Sequence, residues 1–167
     1  FIGLSGRFPD APTVTEFWHN LERGHDAIGI VPALRWNVEE WFDDSKNNPL
    51  KSYSKWGGFL GDVTLFDAEF FDVTAAQALV MDPQERLFLE IVWLLLEQTG
   101  HSASLLKHRY NHKVGTYVGS MTLPYQQIDA TPELAAVTSL ATHSIIANRV
   151  SYFFDLQGPS VAVDTMC

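Results

Sequence analysis

The sequence predicts an α/β fold in which buried helices accompany a mainly parallel sheet. Short apolar runs at residues 2–4, 114–119 and 161–163 have the length and composition of buried strands. Helical patterns lie between these runs, over residues 86–98 and 133–154. Strands that alternate with helices along a chain are typical of a parallel sheet, so this order indicates a parallel arrangement.

The N-terminal part of the chain predicts one helix followed by a long irregular stretch. The helix is expected over residues 16–22, with Thr15 as its cap and Gly24 as its stop. Residues 25–75 are rich in proline, glycine, asparagine and aspartate, the usual turn formers. We expect short elements here, held down by aromatic side chains, because a long loop without packing is costly to order.

The clearest helix start is Asp82-Pro83-Gln84-Glu85. It places a cap residue first, proline at the first helical position and glutamate at the third, as in a capping box. From this start the helix is predicted to continue over residues 86–98, with Gly100 as its stop. Residues 87–96 are apolar nearly all round, so other layers are expected to cover this helix on both sides.

Composition and charge exclude several classes of protein. A hydrophobic fraction of 46% is that of a globular chain rather than a disordered one. A net charge of −9 argues against nucleic acid or an anionic membrane as a partner. The longest wholly apolar run, residues 91–96, is far shorter than the roughly 20 residues of a membrane span. One cysteine excludes an internal disulfide and a cysteine-based zinc site, which fits a cytoplasmic location.

Cys167 is the only cysteine and the last residue. It follows a turn at Gly158-Pro159 and the predicted strand at residues 161–163, so it lies at the carboxyl end of that strand. A helix that followed would direct its N-terminal amides at the thiol and lower the thiol pKa. A lone cysteine is usually a small buried hydrophobe, and its place after the strand is what makes Cys167 a candidate nucleophile.

Several sequence blocks along the whole chain occur in the order of a known family. They are residues 2–9, 17–24, 56–60, 66–71, 81–87, 147–155, 158–160 and 163–167. Together they resemble the N-terminal half of a ketosynthase, the β-ketoacyl synthase domain of modular polyketide synthases. The chain lacks an initiator methionine and ends at the thiol, so residues 1–167 are expected to be a partial domain, cut at both ends.

The resemblance implies a fold, a reaction and partners. It implies a thiolase-like layered fold, of which this chain supplies the N-terminal half. It implies decarboxylative Claisen condensation, with Cys167 as the acyl-accepting nucleophile and its backbone amide as one oxyanion donor. The implied partners are acyl and malonyl-type thioesters and an acyl carrier protein, which carries the phosphopantetheine. The intact domain is expected to be a homodimer, and this chain is expected to bind no cofactor or metal itself.

Two positions depart from the family pattern. Met166 stands where many members have a small residue, and it is similar to ketosynthases of assembly lines served by separate acyltransferases. Residues 141–144 lack a glycine often found there. The family also uses two histidines well beyond the nucleophile, which no residue here matches. The chain alone is therefore expected to be inactive, and poorly soluble because half a core leaves apolar surface uncovered.

Other functions remain as alternatives. One is a non-condensing ketosynthase-like domain that acts as a gatekeeper or docking module. Another is the ketosynthase of a fatty-acid or polyunsaturated-fatty-acid synthase. A cysteine hydrolase is weaker, because its nucleophile elbow requires glycine where Thr165 stands.

The remaining polar motifs are interpreted as structural. His108 and His112 have a metal-ligand spacing if helical, but they are predicted to lie in a polar surface loop. His143 and Ser144 are adjacent on a predicted helix and point in different directions, so His143 is expected to pack or line a pocket. Asn148-Arg149 is predicted to anchor its helix internally.

Overall fold

Helices and short strands alternate along the described residues of this computed structural model, which are 1–121, 125 and 142–166. The chain divides into two compact units, Leu4–Asp62 and a larger unit made of Phe1–Gly3 with Val63–Cys167. The described elements are α1 Val14–Glu22, β1 Ile28–Ile30, α2 Val38–Trp41, β2 Trp56–Gly58, α3 Ala75–Val80, α4 Pro83–Gln98, α5 Ala103–Tyr110, β3 Thr116–Gly119, α6 Ser144–Phe153 and β4 Ser160–Val163.

Helix α1 begins earlier than predicted, because its cap is Thr13 and not Thr15. The Thr13 hydroxyl accepts from the Glu16 amide at 3.2 Å, and the Glu16 carboxylate accepts from the Thr13 amide at 3.1 Å. This reciprocal box needs an acidic or amide side chain three residues after the cap, which Thr13 has and Thr15 lacks. The predicted stop is confirmed, since Gly24 adopts a left-handed φ of 63°.

The rest of the smaller unit is mostly irregular, as predicted. Strands β1 and β2 form an antiparallel pair, with Ile28 opposite Gly58 and Ile30 opposite Trp56. The four-residue helix α2 lies between them in sequence. In the part of the chain that the structure describes, no helix is long and apolar enough to cross a membrane.

Residues 2–4 do not form the predicted strand. Ile2 and Leu4 are 79% and 66% exposed, and neither belongs to a paired strand among the described residues. An extended segment becomes a strand only when a neighbour satisfies its backbone groups. Their apolar pattern was therefore a poor guide to local structure.

The long helix α4 forms the centre of the larger unit. It begins at Pro83 with Asp82 as its cap, ends at Gln98 and is followed by Gly100 at a φ of 70°, which confirms the predicted bounds. The Asp82 carboxylate accepts from the Gln84 amide at 2.8 Å. None of residues 87–96 is exposed and Leu89 is fully buried, yet the other nine are only partly covered by the described residues.

Strands β3 and β4 form a parallel pair, with Thr116 opposite Ser160 and Gly119 opposite Val163. Helix α6 packs against both strands and against α4. Val150 of α6 and Leu89 of α4 share a hydrophobic core cluster with Phe71, Val73 and Met81. The predicted parallel arrangement is confirmed for these two strands. The predicted helical stretch 133–154 is confirmed over α6, and residues 133–141 lie outside the described residues.

Helix α5 replaces the predicted polar loop. Ser102 caps it by accepting from the Leu105 amide at 3.3 Å, and Asn111 ends it in the left-handed conformation. Leu106 is 2% exposed and attaches the helix to the larger unit. The local pattern missed α5 because Leu106 is its one buried residue and its exposed faces carry Lys107, His108 and Arg109.

Replacing Gly158 by alanine is expected to destabilise the β3–β4 pair. The added Cβ would collide with the Val114 carbonyl and lie 2.7 Å from the Gly115 amide nitrogen, where only backbone could move. We expect a loss of about 2–3 kcal/mol in unfolding free energy, measured by chemical denaturation of the intact domain. Gly119→Ala is the matched control, because its Cβ meets nothing within 4 Å. Equal stability of both variants would contradict this account of Gly158.

Candidate active site

The carboxyl ends of β3 and β4 meet at one edge of the larger unit, because the strands are parallel. The Ser120 amide, just after β3, donates to the carbonyl of Val163 at 3.1 Å. A cavity of about 270 Å³ opens here. Its lining comes from the two strand ends and the segments after them: Gly119, Ser120, Met121, Val163, Asp164, Thr165 and Met166.

The backbone adopts a left-handed conformation at Met166, on the wall of this cavity, and we refer to this position as the elbow. Met166 adopts a φ of 57°, and its amide donates to the Asp164 carboxylate at 3.0 Å. A side chain other than glycine is strained in this left-handed region, and such strain is concentrated at functional sites. Cys167, the predicted nucleophile and amide donor, is the next residue in the chain and lies outside the described residues.

A histidine and a serine far apart in sequence meet beside this edge. The Ser120 hydroxyl lies 2.9 Å from Nδ1 of His143, which precedes α6 at its cap position. The Ser144 hydroxyl bonds instead with Thr142 at 2.7 Å, so the adjacent pair His143 and Ser144 does not act together. Ser120 was missed from sequence. Its only local signal is a hydroxyl directly after a predicted strand.

Residues Asn148 and Arg149 anchor α6, as predicted. The Arg149 Nε donates to Glu85 Oε2 at 3.2 Å, and the Ser160 hydroxyl donates to Asn148 Oδ1 at 2.7 Å. Glu85 is 3% exposed. It therefore links α6 to the start of α4, because the Asp82 backbone amide also donates to the Glu85 carboxylate. The predicted capping box is present on the Glu85 side alone, since the Asp82 carboxylate accepts from Gln84 and not from Glu85. The bonds of Asn148 and Arg149 hold α6, and with it the position of His143, against α4 and β4.

The environment of Glu85 changes its protonation. Burial raises the pKa of Glu85 above its ordinary value of 4.5, because desolvation disfavours the charged carboxylate. The Arg149 guanidinium opposes this change in pKa by its charge and its hydrogen bond. The Asp82 carboxylate raises the pKa further, and the hydrogen bond from the Asp82 backbone amide lowers it. Desolvation is the larger effect, so the ion pair does not fully compensate for burying the charge.

A second cavity of about 890 Å³ lies between the end of α4 and α5. Its lining is apolar at Trp93, Leu96, Phe153 and Phe154 and polar at His101, Lys107, His108 and His112, among others. His108 lies on α5 and His112 follows it, with Nδ1 of His112 3.5 Å from Asp155. Within the described ranges, no group of three or more histidine, cysteine, aspartate or glutamate residues could hold a metal ion.

Comparison with known protein families identifies the family to which this chain belongs. The family model for the N-terminal domain of β-ketoacyl synthases matches residues 1–167. This chain belongs to that family. The predicted resemblance to a ketosynthase is thereby confirmed.

Related ketosynthase sequences occur in polyketide synthases. The chain is 44% identical over 172 residues to the polyketide synthase PksL of Bacillus subtilis, and 45% identical over 170 residues to ThaG of Burkholderia thailandensis. Each match covers 99% of this chain, but the chain spans 4% of PksL and 3% of ThaG. It is therefore similar to one small part of these long proteins.

Solved ketosynthase structures share this fold. The oxazolomycin ketosynthase domain OzmH KS7 of Streptomyces albus superposes with a TM-score of 0.86 at 41% identity, over 98% of this chain and 28% of that one. The ketosynthase from module 6 of the bacillaene synthase of Bacillus subtilis superposes with a TM-score of 0.77 at 31% identity, over 98% of this chain and 25% of that one. The ketosynthase chain described here has the thiolase-like α/β fold, as predicted.

Proposed function

We propose that the protein containing this chain is a polyketide β-ketoacyl synthase that uses Cys167 as its acyl-accepting nucleophile. The observation that carries the proposal is the strained elbow at Met166, on the wall of a cavity where two parallel strands end. The only cysteine of the chain comes next in sequence. Strained backbone is concentrated at functional sites, and here it lies directly before the only thiol of the sequence.

The proposed reaction has two steps. In the first, the Cys167 thiolate attacks the carbonyl of an acyl thioester, and the thiol of the phosphopantetheine arm leaves. In the second, a malonyl-type extender loses carbon dioxide, and the resulting carbanion attacks the acyl carbon. A carbon–carbon bond forms, and the cysteine thiolate is released. The Cys167 amide would supply one hydrogen bond to the oxyanion formed in each attack.

The partners follow from the same proposal. An acyl carrier protein would deliver both thioesters on its phosphopantetheine arm, and two copies of the intact domain would form a homodimer. None of the six histidines here matches the family's motifs, so the groups that assist decarboxylation would come from outside residues 1–167. The chain alone would therefore be inactive. Met166 favours an assembly line served by separate acyltransferases, and the single cysteine fits a cytoplasmic protein.

The test uses the full ketosynthase domain that contains these residues. Incubation with an acyl-pantetheine thioester is expected to add one acyl mass to the proteolytic peptide that contains Cys167. Addition of a malonyl-loaded carrier protein is then expected to give a β-ketoacyl product, detected by mass spectrometry. An adduct without product would show the gatekeeper alternative instead. The absence of any adduct on Cys167 would refute both.

A further inference from the structure

Ser120 joins three elements at the candidate active site. Its amide donates to Val163 at the end of β4, at 3.1 Å. Its hydroxyl lies 2.9 Å from Nδ1 of His143, directly ahead of α6. Ser120 itself follows β3 and lines the cavity that Met166 also lines. One residue therefore connects two strand ends and a helix start beside the elbow that leads to Cys167.

The imidazole of His143 serves this contact and not the helix. His143 occupies the cap position of α6, yet its side chain makes no capping hydrogen bond. Its ring and Ser120 are both half-buried, and the two residues are 23 positions apart. A half-buried hydrogen bond between distant segments restricts both of them, because breaking it leaves polar atoms without a partner.

We propose that Ser120 and His143 are positioning residues of the condensing site. Their hydrogen bond holds the wall formed by Ser120 and Met121 against the start of α6, and so sets the shape of the cavity in which an acyl chain lies relative to Cys167. The inference rests on the proposed function, since it requires Cys167 to accept an acyl chain. Neither residue touches the reacting atoms in this proposal. Both act through the shape of the cavity and the direction of the elbow.

Two substitutions of His143 differ in which ring nitrogen they replace, and therefore in whether residue 143 can still bond Ser120. In His143→Asn the amide group takes the place of Nδ1 and keeps the bond to Ser120. In His143→Gln the amide group takes the place of Nε2 and loses it. Ser120→Ala removes the bond from the other side with the smallest change in volume. His108→Asn is the matched control, because His108 lies on α5 and lines the other cavity.

The measurement is single-turnover acylation of Cys167 in the full ketosynthase domain, with an acyl-pantetheine thioester over a range of concentrations. His143→Gln and Ser120→Ala are expected to lower the maximal rate about 10- to 100-fold, since misplacement by about 1 Å costs up to 10²-fold. The half-saturating concentration is expected to change by less than about threefold, because the cavity still binds the chain. His143→Asn and His108→Asn are expected to stay within about threefold of the wild type.

The relative acylation rates of these variants decide whether the Ser120–His143 bond positions the site. Equal rates for His143→Asn and His143→Gln would overturn the inference, whether both match the wild type or both fall with their melting temperatures. If His143→Gln does not fold, wild-type acylation by Ser120→Ala would overturn it equally. Failure of the proposed function is separate, since the wild-type domain itself would then form no adduct on Cys167.

Discussion

Replacing Cys167 by alanine is expected to abolish acyl-enzyme formation in the intact ketosynthase. The acyl chain would have no thiol to receive it, and the two-step route through a thioester would be closed. We expect condensation to fall more than about 10⁴-fold, as is typical when a covalent nucleophile is removed. Mass spectrometry of the active-site peptide and quantification of the β-ketoacyl product measure the two steps separately.

Cys167→Ser is the matched control for this prediction, because it keeps the size of the side chain. A hydroxyl stays protonated where a thiol can ionise, so the serine variant is also expected to lose most of the acylation rate. Retention of a tenth or more of the wild-type rate by Cys167→Ala would show that Cys167 is not the nucleophile. Residues 1–167 contain no second cysteine that could replace it.

Replacing Arg149 by methionine is expected to cause the largest loss of stability. It would leave the buried carboxylate of Glu85 without its partner, a change that costs about 3–5 kcal/mol in proteins generally. Because Arg149 is 24% exposed, we expect the lower end, about 3 kcal/mol, at neutral pH. Chemical denaturation of the intact domain at pH 7.5 and 5.5 measures the loss.

The pH dependence identifies the cause of this loss. The pKa of Glu85 is raised in the folded protein, so its contribution is fully present below the unfolded pKa of 4.5 and is lost as pH rises through the folded pKa. Without Arg149 the folded pKa rises further. The Arg149→Met defect is therefore expected to be smaller at pH 5.5 than at pH 7.5, because a larger fraction of Glu85 is then protonated and uncharged.

Two variants complete the experiment on the ion pair. Adding Glu85→Gln to Arg149→Met is expected to recover most of the lost stability, because a neutral amide replaces the unpaired charge. Lys113→Met is the control for removing a cation, since Lys113 is exposed, and it is expected to change stability by less than about 0.5 kcal/mol. A defect that is equal at both pH values, or that Glu85→Gln does not relieve, would contradict the ion-pair explanation.

Local sequence signals predicted those features whose physical cause lies within a few residues. The start of α4 was predicted because a cap such as Asp82 accepts a hydrogen bond from an amide of the first turn, and Pro83 fixes the backbone φ at the first helical position. Gly24 and Gly100 were predicted as stops because they tolerate left-handed backbone. Family membership was predicted because the order of many short sequence blocks can be recognised without knowledge of the fold.

The wrong predictions share another physical origin. The apolar residues 2–4 have the composition of a strand, but a strand also needs a neighbour, which composition does not reveal. Helix α5 was missed because its attachment depends on the burial of Leu106 against another part of the unit. The local pattern at Glu85 indicated its bond to the start of α4, but it did not indicate the second bond, to Arg149, which lies 64 positions away. In each case the deciding feature was the presence or absence of a distant contact.

The sequence by itself determined the family, the parallel strand order and the position of Cys167 after its strand, because motif order and periodicity are properties of the chain alone. Only the tertiary structure decided that Ser120 meets His143, that Glu85 meets Arg149 and that Met166 turns with a positive φ beside a cavity. These features depend on segments brought together by the packing of α4, α6 and the two parallel strands. No local pattern encodes the contacts of Ser120 with His143 or of Glu85 with Arg149, since each arises from the closure of a long loop.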